Sequence, residues 1–204
     1  MKSIYNQLVT AGFLAVIGLP GSALAESNSD VGASPSASAR LDFQIVIPGI
    51  LRFQVGTAGT NNVDLIEFQP AGSSLGDDSD TAATAGSGNL GNGAVTVSVL
   101  SNAGQVTITE TNNSGGAGLD NGAGDNIPYS EILTTSGDAT NLPAPTLSDG
   151  SSNTSQPVIS AGTKVTNRNS TWTYTYDNSD IYPEGTYGGV NTQGGRVTYT
   201  AATP

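Results

Sequence analysis

Hydrophobic and polar residues alternate along several short stretches of the chain, and no stretch after residue 25 repeats its apolar positions at a helical period. The first alternation is Arg40-Leu41-Asp42-Phe43-Gln44-Ile45-Val46-Ile47, which puts Leu41, Phe43, Ile45 and Ile47 on one face of a half-buried strand. Pro48-Gly49 punctuates it, and residues 50–55 (ILRFQV) resume, with Leu51, Phe53 and Val55 opposite Arg52 and Gln54. Residues 63–68 (VDLIEF) predict a third strand. Residues 94–100 and 105–110 carry Val95, Val97, Val99 and then Val106, Ile108 on single faces. Only Ser101-Asn102-Ala103-Gly104 separates them, which predicts a β-hairpin. Residues 129–133 predict a short strand. The sharpest signal is residues 171–177 (TWTYTYD), where Trp172, Tyr174 and Tyr176 oppose Thr171, Thr173 and Thr175. Residues 185–190 and 196–201 (RVTYTA) close the series, the last with Val197, Tyr199 and Ala201 on one side.

The connections are rich in Gly, Asn, Ser and Asp, and the chain holds 27 glycines. Residues 70–93 are long for a loop within a compact domain and are expected to be mobile. Many short strands with such connections predict an all-β fold, an antiparallel β-sandwich of immunoglobulin-like or pilin-like type. No regular internal repeat is present.

Residues 1–25 read as a secretory signal peptide. Lys2 supplies the positive region, residues 8–19 the apolar run, and Ala23-Leu24-Ala25 the small-residue cleavage site. No later segment approaches the ~20 apolar residues of a membrane-spanning helix, so no membrane insertion is expected. Residues 26–39 (ESNSDVGASPSASA) are small and polar and are expected to form a flexible arm. Residues 40–204 are then expected to form a single sandwich domain.

Charge and composition narrow the function. Seventeen acidic against 6 basic residues give a net charge of −11, which repels nucleic acid. Arg40, Arg52, Lys164, Arg168 and Arg196 are scattered rather than clustered. The chain has no cysteine and no histidine, so Ser-His-Asp and Cys-His nucleophile systems and Cys/His zinc sites are excluded. The expectation is a protein that is not an enzyme and carries no cofactor. Four other chemistries stay open. Asp77-Asp78-Ser79-Asp80 and the run from Asp120 to Asn126 offer oxygen ligands for calcium, but neither has EF-hand spacing, and solvated loops explain them as well. Trp172, Tyr174 and Tyr176 are either a sugar-stacking platform or a packed inner face. Lys164, the only lysine after the signal peptide, could enter an isopeptide bond or simply be exposed. Two facing carboxylates could hydrolyse a glycoside.

The ends of the chain resemble a fimbrial (pilus) subunit of the chaperone–usher type. The resemblance rests on the signal peptide and small-residue arm, on LDFQIVI followed by Pro48-Gly49 and ILRFQV, and on PEGTYGGV preceding RVTYTA. It covers residues 26–55 and 183–201. It implies that the N-terminal strand completes the incomplete sandwich of the next subunit by β-augmentation, with Leu41, Phe43, Ile45 and Ile47 filling its pockets. It further implies self-assembly, a periplasmic chaperone that shields the open edge, and transit from periplasm to cell surface. The chain departs from commoner members in lacking a cysteine pair, and Asn191-Thr192-Gln193-Gly194-Gly195 interrupts the final strand region. Two alternatives remain: residues 41–47 form the first strand of a self-contained sandwich, or the protein is a monomeric carbohydrate- or calcium-binding module.

Overall fold

The computed structural model describes residues 28–59, 63–150 and 152–204. The signal peptide expected at residues 1–25 lies outside the described residues. The chain divides into two units, one ending at Ile47 and one running Pro48–Pro204. The described part of the first contains no helix and no paired strand, and from residue 35 to residue 50 the backbone makes no turn or bend.

The second unit is built from antiparallel strands, with no α-helix among the described residues. They are β1 (Leu51–Val55), β2 (Thr81–Ala82), β3 (Ala94–Ser101), β4 (Thr107–Asn112), β5 (Leu119–Asp120), β6 (Asn126–Ile127), β7 (Ile132–Ser136), β8 (Thr154–Ser155), β9 (Thr166–Tyr176) and β10 (Val197–Ala202). A 3-10 turn, Tyr129–Glu131, leads into β7. The 11-residue β9 organises the larger sheet. Its threonines and aromatics suit a pleated, half-buried surface. One edge of β9 pairs with β3 and then β2; the other pairs with β7. Outside β3 lies β1. The smaller sheet has the order β10-β4-β8, and β5 and β6 form a separate ribbon.

The two sheets share one core. Val95, Val97 and Val99 of β3 and Trp172 and Tyr174 of β9 are buried with Ile108 of β4, and Val197, Tyr199 and Ala201 of β10 pack against them. The Trp172 ring meets Tyr199 edge-on at 5.3 Å between centroids, and the Tyr174 and Tyr199 hydroxyls are hydrogen-bonded at 2.9 Å. Trp172 Nε1 donates to the Leu142 carbonyl at 3.3 Å, so the indole is buried with its polar atom partnered. This is a sandwich-like, all-β arrangement.

Several strand boundaries differ from those read in the sequence. Residues 94–110 do not form a hairpin: β3 and β4 lie in different sheets. Asn102 explains the difference. Its side chain accepts from Ile50 N at 2.7 Å and donates to Pro48 O at 2.9 Å, pinning the connection to the start of β1 and away from a tight β3–β4 turn. Residues 63–68 are not a strand apart from one bridge, Phe68 to Ala83. Their peptide groups bond instead to an irregular loop, through Glu67 N to Ser87 Oγ, Thr84 N to Glu67 O and Gly88 N to Leu65 O. The strand read at residues 129–133 begins only at Ile132, and residues 185–190 are not a strand. Residues 70–93 contain β2 and a fold of loop held by buried Asn178, which donates to Ser74 O at 2.6 Å and accepts from Gly76 N at 3.2 Å. Gly93 in the same stretch has φ +77°, and a Cβ there would lie 2.6 Å from Tyr174 O, so only glycine fits.

Candidate strand-exchange site

The first component is residues 41–47. Leu41, Phe43, Ile45 and Ile47 are between 73% and 89% exposed, and none belongs to a strand. Val46, on the opposite face, is exposed too. The four side chains alternate with Asp42, Gln44 and Val46. In an extended chain they therefore form one apolar edge, spaced two residues apart. Single exposed apolar residues are ordinary on protein surfaces, but a continuous row of four is not.

The second component belongs to the sandwich. β1 bonds only to β3 and β10 only to β4, so each leaves one edge unpaired among the described residues. The inward positions of the sheet centre are sealed, with Val97 and Trp172 at 0% exposure. The inward positions of the two edge strands are not. Phe53 and Val55 of β1 and Val197, Tyr199 and Ala201 of β10 are only half-buried, and Leu51 is exposed. β1 and β10 contact each other across the two sheets. An open concavity of about 310 Å³ lies against β1, lined by Phe53, Gln54, Val55, Thr57, Ala58 and Gly59. Gly56 N donates to Thr96 O at 2.8 Å, and Asp64 accepts from Thr57 N at 2.6 Å and Thr57 Oγ1 at 2.7 Å, fixing the turn that follows β1. The chemistry on offer is that of a sheet edge: main-chain N–H and C=O groups outside any strand ladder among the described residues, beside apolar side chains.

The other candidates do not gather into sites. Trp172, Tyr174 and Tyr176 are buried, which makes them the packed inner face and excludes a surface sugar platform. Among the described residues no group of three or more acidic side chains is placed to hold a metal ion. Asp120 and Asp125 lie in the ribbon region, where Asn121 Nδ2 donates to Asp125 Oδ2 at 3.0 Å. Lys164 is exposed in the turn between Ala161 and Val165. Neither the concavity at β1 nor a second one near Asn112 is lined by an Asp or Glu, so no carboxylate pair flanks a cleft there. No described helix is long and apolar enough to cross a membrane.

The open edges were not readable from the sequence, because any alternating segment can be central or peripheral. Glu110 was readable and was missed. It shares its face with Val106 and Ile108, so the strand's own period places a carboxyl in the core. Comparison with protein-family profiles, curated proteins and solved structures returned no match.

Proposed function

We propose that this protein is an exported structural subunit that assembles into a pilus-like or surface fibre by strand exchange. Residues 41–47 of one copy lie along the open β1 and β10 edges of another. The observation that carries this reading is the pairing of an unburied apolar row with half-buried inner faces at two unpaired edges. Burying each of Leu41, Phe43, Ile45 and Ile47 would contribute ~1.5–3 kcal/mol, and the edge would gain main-chain hydrogen bonds. A donor at one end and an acceptor elsewhere make a heterologous contact, which propagates as a filament instead of closing as a dimer. The signal peptide read at residues 1–25 would send the chain to the periplasm. There a chaperone would cover the edges until a second copy replaces it, before the fibre reaches the cell surface.

The test is the mass of the extracted protein by light scattering, for wild type and for Ile45→Asp. Polymers in the wild type that fall to monomer on heating in denaturant, with folded monomers only in the variant, are expected. A wild type that is monomeric and folded without a chaperone would refute the reading.

A further inference from the structure

Glu110 is the one charged side chain at 0% exposure among the described residues. It is fully buried on the inner face of β4, and Tyr199 of β10 stands opposite it in the ladder. Its Oε1 accepts from Asn112 Nδ2 at 3.1 Å, and the same Asn112 amide donates to Ser148 O at 2.8 Å. Its Oε2 has no partner. The titratable groups around it come from every element packed there: Tyr129 of the 3-10 turn, Tyr174 of β9 and Tyr199 of β10, with Asp149 acting on Tyr129. None of these is a cation. Tyr129 donates its hydroxyl to Gly194 O, and the Tyr174 and Tyr199 hydroxyls bond to each other.

Among the described residues, a carboxylate in such a place has one satisfied oxygen and one orphan, and no positive charge to offset it. A neutral carboxylic acid avoids that cost. We propose that Glu110 makes the sandwich core a pH sensor: as the neutral acid it lets the seam between β4, β9 and β10 close, and as the carboxylate it loosens that seam. The direction of its acidity agrees. Burial, the largest influence, raises it above the ordinary glutamate value, while donation from Asn112 and the backbone near Asn153 lowers it less. A raised carboxyl stabilises the fold fully below its unfolded pKa, and that stabilisation is lost as pH rises through the folded pKa. Acid therefore tightens this core and rising pH relaxes it. The device concerns the sandwich itself and does not depend on strand exchange.

The experiment follows one carboxyl and one indole in the full chain, whatever its assembly state. Infrared titration should show the carbonyl stretch of one protonated acid outlasting those of the other carboxyls as pH rises, and absent from Glu110→Gln. Trp172 is the only tryptophan, and its ring lies against Tyr199. Its emission should shift over the same pH range in which that acid band disappears in wild type, and stay level there in Glu110→Gln. Loss of all acid carbonyl signal in one step, or equal emission shifts in both proteins, would overturn the proposal. If Glu110→Gln does not fold, Glu110→Asp takes its place, because Glu131 is a second buried carboxyl: a residual band that moves with that substitution supports the proposal, and a band it leaves unchanged, or none in wild type, refutes it.

Discussion

Two segments of this chain carry the same alternation and meet opposite fates. Trp172, Tyr174 and Tyr176 alternate with threonines, and all three are buried in the central strand of the larger sheet. Leu41, Phe43, Ile45 and Ile47 alternate with mostly polar residues, and all four are exposed. Period-two patterning states that one face of a strand is to be buried. It does not state in whose core. The strands that surround β9 supply partners on both of its edges, whereas β1 and β10 each offer an edge that nothing in the described residues occupies. Strand exchange, as proposed, would bury the exposed row and pair the two open edges at once.

The comparison can be broken first at the buried segment. Trp172→Ala removes the largest fully buried side chain and should cost ~3–5 kcal/mol, read as a lower urea midpoint. Alkali should act on the same strand more gradually. Burial pushes the Tyr174 and Tyr176 phenols up to about 12, with the Tyr199 hydroxyl lowering Tyr174 somewhat and Glu131 raising Tyr176 further. The fold keeps this stabilisation below the unfolded tyrosine value of about 10 and loses it as pH rises through about 12. Tyrosinate absorbance should therefore appear late and together with loss of β-structure in circular dichroism. Next comes the loop that packs at the end of β9. Asn178→Ala strips Ser74 O and Gly76 N of their partner and should cost ~1–3 kcal/mol. The smallest effect is expected at the exposed segment: Phe43→Ala should change the unfolding free energy of dissociated monomers by less than ~0.5 kcal/mol, read from the urea midpoint. A loss there as large as that of Trp172→Ala would mean the row belongs to its own chain's core.

Much of the fold was legible. The cores of β1, β3, β4, β9 and β10 were all visible as alternating faces, since each has its inward residues in phase. Pairing was less legible. The short Ser101–Gly104 connection suits a hairpin by length, but Asn102 spends its side chain on Ile50 and Pro48, a contact 52 and 54 residues distant in sequence. The start of β9 was hidden as well, because Thr166–Ser170 is polar on both faces and is recruited by the ladder with β3. At the candidate site the alternating row at residues 41–47 was visible in the pattern, while its donor role is what the resemblance to fimbrial subunits implies. The open edges were not visible, because an open edge is a property of topology and no local sequence encodes it.

The central claim is that residues 41–47 meet the β1 and β10 edges of a different copy. The chain has no cysteine, so engineered thiols report without background. The most direct measurement mixes two single variants, Ile45→Cys with either Val55→Cys or Ala201→Cys, refolds them together, oxidises them, and separates the products by size in denaturant. Strand exchange predicts a disulfide-linked pair containing one chain of each variant, absent when Ile45→Cys is replaced by a cysteine at exposed Ser36. No mixed pair, together with an efficient crosslink inside a single chain carrying both substitutions, would show that residues 41–47 close their own sandwich.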